Sequence, residues 1–307
     1  MKRTQQRSRT TSRRTSGLTL IELLIAMVVF AVVIALAGGG VIQALRIQRL
    51  NEGIVSAQAK MRRVTEVIAQ DLRSMSLGGL ADVPFESSAS QISLVSQQGP
   101  RYVVLPHDSG NNASFVAAAN VQILAAAASA DELGVENREV LMTNAAGQGI
   151  VLFIDTVSRR GGPTSSEWNL VHPGCGNTID YTGSSVGLHR AVTIGYAFDP
   201  DTARLLRQEG EAAAVPVAFD VRAFALSYVY RNDDDDTVVV RDEPIENAEG
   251  LPVRTPMIGS DPHTLESINV EIAVASDDGD TAVRSLTTNV ALPQRVPAGA
   301  VATEVCR

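Results

Sequence analysis

Hydrophobic positions change their spacing along the chain, and each spacing predicts a different element. From Leu23 to Leu45 no residue carries a charge. A helix needs roughly 20 residues to cross a hydrocarbon core of about 30 Å, so this run predicts a membrane span. Beyond it, Ile47, Leu50, Ile54, Met61, Val64, Ile68, Leu72 and Met75 fall mostly three or four residues apart, with Arg46, Arg49, Glu52, Lys60, Arg62, Arg63, Glu66 and Arg73 between them. That period predicts an amphipathic helix continuing the first. One helix from Leu18 to Met75 would measure about 87 Å at the α-helical rise. Gly38, Gly39 and Gly40 each cost about 1 kcal/mol relative to alanine inside a helix and predict a local melt. The alternative is close packing by small residues in the membrane.

Leu77-Gly78-Gly79 with Pro84 is expected to end the helix, after which the pattern turns to β. Short strands are expected at Ile92–Val95 and Tyr102–Leu105, and an Ala-rich helix at Val121–Ala130. Val140–Met142 and Ile150–Val157 bracket Gly147 and Gly149 as a hairpin. Arg159–Gly187, rich in Gly, Pro, Ser and Thr, reads as a long surface loop holding Trp168, His172 and Cys175. Strands follow at Ala191–Phe198 and Ala203–Gln208 around Asp199-Pro200-Asp201. Two more pairs complete the pattern: Phe219–Tyr230 with Thr237–Arg241, and Ser267–Ala275 with Thr281–Ala291 around Asp277-Asp278-Gly279. The expected fold class is α+β: a long N-terminal helix packed on a mainly antiparallel sheet. The expected division is 1–17 basic tail, 18–45 membrane helix, 46–76 amphipathic helix and 77–307 exported β-rich domain.

Charge sharpens the topology. Before the apolar run lie Lys2, Arg3, Arg7, Arg9, Arg13 and Arg14 and no acid, although the whole chain has a net charge of −8. Basic residues stay on the cytoplasmic side, so the tail is expected inside and the body outside. What remains outside is acidic, which argues against nucleic-acid binding, since that needs a basic footprint. In an exported compartment the two cysteines, Cys175 and Cys306, are expected to pair, tying down the C-terminal end; two unrelated buried thiols are the alternative.

Glu22 is the one carboxylate at the head of the apolar run, five residues after Gly17. An acid at mid-membrane costs about 2.5–3.5 kcal/mol on insertion scales and calls for a partner. The segment GLTLIELLIAMVVFAVV resembles the start of a type IV pilin precursor: a short basic leader ending in Gly, a hydrophobic first mature residue and a Glu at mature position five. Gly17, Leu18 and Glu22 match in order, with Leu18 where Phe is more usual. The resemblance implies cleavage after Gly17 and N-methylation of Leu18 by a prepilin peptidase, retention in the inner membrane, and packing of the helix into a filament. There Glu22 would neutralise the N-terminal amine of a neighbouring subunit. Burial physics supports this role, because a buried amine is tolerable only when paired. The plainer role for Glu22 is an acid at a helix N-terminus, mildly favoured by the dipole. A looser resemblance, spread over about 190–292, is to PilW-type minor pilins and to J-type minor pseudopilins of type II secretion.

Candidate chemistry elsewhere is thin. His107, His172, His189 and His263 are scattered among turn residues and expected at the surface, and no nucleophile elbow, Cys-x-x-Cys pair or phosphate loop occurs. Asp233–Asp236 and Asp277-Asp278-Gly279-Asp280 offer oxygen ligands of the kind Ca²⁺ prefers but lack its loop spacing, so they read as solvated hairpin tips. No cofactor, metal or enzymatic activity is expected. The expected function is a minor pilin or pseudopilin whose partners are the prepilin peptidase, other pilins and the inner membrane. The alternative is a soluble periplasmic binding module or enzyme released by signal peptidase after Ala37, at the Ala35-Leu36-Ala37 site.

Overall fold

The computed structural model describes residues 19–105, 120–143, 149–172, 186–248, 250–275, 283–292 and 303–306. The chain divides into two compact units, Met1–Gly53 and Ile54–Arg307. Helix α1, Leu20–Arg73, runs for 54 residues and contributes to both. Its first half reaches a mean hydropathy of 3.0, long and apolar enough to cross a membrane, with none of that window buried. The helix continues through Gly38–Gly40, so the expected melt is absent here, and a Cβ added at any of the three would meet nothing within 4 Å.

In the second unit the helical period produces a buried stripe. Met61, Val64, Ile68, Ala69 and Leu72 face inward, while Arg62, Arg63, Glu66 and Arg73 stay exposed. The stripe packs on two sheets. The first has eleven strands in the order β16 (Thr303–Cys306), β5 (Gly149–Ile154), β4 (Arg138–Thr143), β8 (Gly187–Asp199), β2 (Gln91–Val104), β3 (Asn120–Leu124), β7 (Glu167–Val171) and β6 (Thr156–Arg160). Strand β1 (Met75–Ala81) adds to β2, β9 (Arg204–Glu209) to β8, and β10 (Val215–Phe219) to β9. The second sheet holds β12 (Val238–Arg241), β11 (Val221–Asn232), β14 (Asp261–Ala275), β13 (Met257–Ile258) and β15 (Val283–Ala291). All described pairings are antiparallel except β16 on β5. The α+β expectation therefore holds: a long apolar helix with a mainly antiparallel β domain.

Alternation sets the core. From β11, Phe224, Leu226, Tyr228 and Tyr230 point one way, and from β14, Ile268, Val270, Ile272 and Val274 join them. They meet Ile92, Leu94, Ile194, Tyr196 and Leu205 of the large sheet with the α1 stripe in a single cluster. A second cluster gathers Trp168, Leu170, Val121, Ile123, Val140, Met142, Ile150 and Leu152. A third takes Ala81, Val95, Ala191, Leu141 and Val151, with Val305 packed against it, one residue from each of six strands. Its position shows the large sheet curling until β1 lies beside β16. Gly195 in β8 is required by packing rather than by φ: an added Cβ would sit 2.5 Å from Pro84 and 2.6 Å from Phe85, where the loop after β1 crosses the sheet.

Several local expectations change. The helix stops at Arg73, and the stretch expected to break it is β1, because its backbone finds partners in β2 across a bulge. Ile92–Val95 and Tyr102–Val104 belong to one 14-residue strand, and Leu105 follows its end. Of the Ala-rich helix expected at Val121–Ala130, Val121–Leu124 lie in strand β3, with Val121 and Ile123 buried, Ala125–Ser129 are irregular, and a single helical turn, α2 (Ala130–Leu133), follows, capped by Ser129. The expected loop 159–187 contains strand β7; Trp168 is buried, donates its indole N–H to the carbonyl of Ala125, and carries Arg159 stacked 4.4 Å above its ring. The hairpins β4–β5, β8–β9, β11–β12 and β14–β15 form as expected. The turn at 277–280 lies outside the described residues.

Candidate assembly site

At the start of α1 the backbone amides of the first turn lack intrahelical partners, and Thr19 and Glu22 satisfy two of them. The Glu22 amide donates to Thr19 Oγ1 at 3.4 Å, and the Thr19 amide donates back to Glu22 Oε2 at 3.1 Å. The Thr19 hydroxyl also donates to Oε2, at 3.2 Å. This reciprocal arrangement is a capping box, and its Thr-x-x-Glu signature is present in the sequence, where Glu22 is read from its charge and its distance from Gly17 rather than from Thr19. Thr19 is the site residue that reasoning missed. The capping box fixes the carboxylate at the end of the helix, and both contacts fall on one oxygen. Gly17 and Leu18 lie outside the described residues.

Below this cap α1 presents bare apolar surface. Leu20, Ile25, Met27, Phe30, Val33, Leu36 and Ile42 are each more than half exposed. The amphipathic stripe behaves differently along its length: Ile47 is 51% exposed, whereas Ile68 and Leu72 are 0%. The β domain's own sheets cover the stripe from Met61 onward, so only its earlier part is left for a neighbour.

A polar cluster ties the end of α1 to the large sheet. Asp71 accepts from the Tyr196 hydroxyl at 2.5 Å and from Arg207 Nε at 2.9 Å, and Arg207 reaches Glu209 at 2.9 Å. Burial, with the Asp71 contact, pushes the Tyr196 phenol well above its usual range. These groups lie on helix α1 and strands β8 and β9, so they register the helix on the sheet.

The remaining candidates are dispersed. Cys306 falls in β16, where its backbone pairs with Leu152, while Cys175 lies outside the described residues, as does His107. The surface expectation for the histidines fails: His172 and His263 are buried, and His189 is partly covered. Burial, aided by Arg101, lowers the His189 pKa, and Gln97 lies 2.7 Å from its Nδ1. Of the acidic run, Asp233 accepts from the Thr264 hydroxyl and Asp235 from both the amide and hydroxyl of Thr237. Among the described residues no three His, Cys, Asp or Glu side chains converge to hold a metal. Arg254 was not singled out; it is 1% exposed and beside a 180 Å³ cavity, and burial pushes its pKa down to about 10.

No curated protein and no solved structure matches the chain. Residues 12–38 match the family described as the prokaryotic N-terminal methylation motif. The segment so matched contains Gly17, Leu18, the Thr19–Glu22 cap and the beginning of the exposed apolar run. The match is confined to this N-terminal segment; it supports a prepilin-type precursor and, at a coarse level, a membrane-anchored, type IV pilin-like subunit of a pilus or pseudopilus.

Proposed function

We propose that this chain is a minor subunit of a type IV pilus or of a type II secretion pseudopilus, one that primes assembly rather than forming the body of the filament. The observation that carries the reading is the methylation motif joined to an unburied apolar helix. The proposed path is cleavage after Gly17, methylation of Leu18, and residence in the inner membrane with residues 77–307 in the periplasm. Glu22 then pairs with a neighbour's N-terminal amine. The geometry supports this pairing: both capping-box contacts to the carboxylate fall on Oε2, which leaves Oε1 to accept the cation.

The head supports a rare subunit. Residues 77–307 carry 30 acidic and 14 basic side chains, so like copies stacked in a filament would repel across any separation shorter than a Debye length of about 8 Å. Mixed partners relieve that repulsion. A Cys175–Cys306 bridge is part of the same proposal. Closing a loop of about 130 residues contributes about 4–5 kcal/mol in the chain-entropy model, and non-reducing peptide mapping of exported protein checks it: one cross-linked peptide pair is expected, and two alkylatable thiols would refute it.

N-terminal sequencing with intact mass decides the main reading. A mature chain starting at methylated Leu18 is expected, and Gly17→Trp should leave uncut precursor in the membrane. A chain starting at Gly38 would establish instead release by signal peptidase. Glu22→Ala should be cut and inserted yet be missing from sheared filaments, and normal incorporation of that variant would remove Glu22 from the assembly role.

A further inference from the structure

We propose that β12 is a docking edge that captures an extended segment of another protein, with alternating apolar side chains and basic residues at both ends, by adding it as a further strand to the small sheet. The inference concerns the head alone and does not depend on the filament reading.

Strand β12 closes one side of its sheet and pairs among the described residues only with β11. The Asn232 amide donates to the Thr237 carbonyl at 2.8 Å, which makes that couple a hydrogen-bonded pair. Antiparallel ladders alternate, so Val239 with Tyr230 and Arg241 with Tyr228 follow suit, whereas Val238 and Val240 turn their N–H and C=O groups away from β11. Two donors and two acceptors therefore face outward in a fixed row. The side chains beside them are apolar: Val238 is 50% and Val240 55% exposed.

Three other edges carry protection along their length that the Val238–Val240 stretch of β12 lacks. Pro216 removes an N–H from β10, Arg159 and Arg160 put charge on β6, and β15 exposes Arg284, Ser285, Thr287 and Asn289. Strand β12 instead opens with three consecutive valines, has no Pro or Gly, and carries a single charge, Arg241, at its last position.

Charge selects the occupant. Asp233–Asp236 precede the valines and Asp242 and Glu243 follow, all exposed. Pairing two copies antiparallel brings the aspartate run of one beside Asp242 and Glu243 of the other, and parallel pairing stacks like on like. Both are repulsive. A strand with Lys or Arg at each end meets opposite charge at both flanks, while its main chain supplies the bonds and its alternate apolar residues cover Val238 and Val240.

The test uses the full chain in detergent micelles with a synthetic peptide, Lys-Lys-Thr-Val-Thr-Val-Thr-Val-Lys-Lys. Saturating peptide should slow hydrogen exchange at the Val238 and Val240 amides by about tenfold or more. The same peptide with Glu at its ends should bind far more weakly. Val240→Pro removes an outward donor while leaving the β11 ladder intact, and Val240→Lys adds like charge without a backbone constraint; each should abolish binding. Unchanged exchange at saturation would overturn the proposal. Equal binding of a Lys-flanked control whose valines are replaced by proline would overturn it too, since only charge attraction would remain. Self-association of the unliganded chain that Val240→Lys abolishes would show the occupant to be a second copy.

Discussion

Phe30 and Ile68 are large apolar residues on one continuous helix, yet Phe30 is 65% exposed and Ile68 is fully buried. The difference lies in what each unit supplies around its part of α1. In the unit Met1–Gly53 the helix is the one described element, so nothing of that unit covers it. In Ile54–Arg307 two sheets close over the helix stripe. An apolar surface that its own chain does not cover is stable only against lipid or against another protein. Burial in the head is thus an intramolecular result, while the burial of the stem belongs to the membrane and to assembly.

Substitutions at these two positions should separate the halves. Ile68→Ala removes buried methyl groups from a filled core and should lower head stability by about 2–5 kcal/mol. Phe30→Ala should leave the denaturant midpoint in micelles unchanged and instead reduce recovery of the subunit in filaments. Equal shifts in the midpoint would show that the stem packs on something within its own chain.

A smaller effect is expected where the helix is pinned. Asp71 and Arg207 side chains are 16% and 21% exposed, so Asp71→Asn should cost about 1–3 kcal/mol by leaving the guanidinium short of its partner. Glu209 is 52% exposed, and Glu209→Ala should cost less, within about 1 kcal/mol. Denaturant titration of both variants tests the ranking, and the reverse order would place the anchor on the surface.

The smallest effect concerns pH. Burial, then Arg101, holds the His189 pKa below 6.5 in the folded head. A depressed histidine pKa means the unfolded chain takes up its proton first as pH falls, so the contribution is present above the unfolded pKa and lost on acidification below it. The melting temperature should drop between pH 7.5 and pH 5.5, and His189→Gln should flatten that drop. An unaltered slope in the variant would assign the acid sensitivity to other groups.

Much of this was legible along the chain because it is written locally. Apolar length alone reveals the membrane half of α1, a 3.6-residue period reveals Met61, Val64, Ile68 and Leu72, and alternation reveals β11. Turn chemistry placed the β8–β9 hairpin through Asp199-Pro200-Asp201. The Thr19–Glu22 cap is equally local and was missed because Glu22 was weighed for its charge and its distance from Gly17, not for its distance from Thr19. Failures occurred where local signals pointed away from the tertiary environment. Gly78 and Gly79 read as a break, but pairing with β2 makes them a strand. The stretch from Val121 reads as helix because of the alanines after it, but a neighbour on each side, β2 and β7, makes its first residues, up to Leu124, strand β3. Trp168, in a Gly- and Ser-rich stretch, acquires its burial from residues more than 40 positions away, such as Ala125.

By itself, then, the sequence determined the parts that need no partner beyond a few residues: the basic tail, Gly17 and Glu22 at their spacing, the apolar helix and the alternating strands. Only the tertiary structure decided where the helix ceases to be bare and becomes core, and which strands lie at the edges of their sheets among the described residues. It also decided which polar groups, from Asp71 to Arg254, are taken out of water. Those outcomes depend on contacts between residues distant in the chain, and periodicity carries no information about which distant surface a given face will meet.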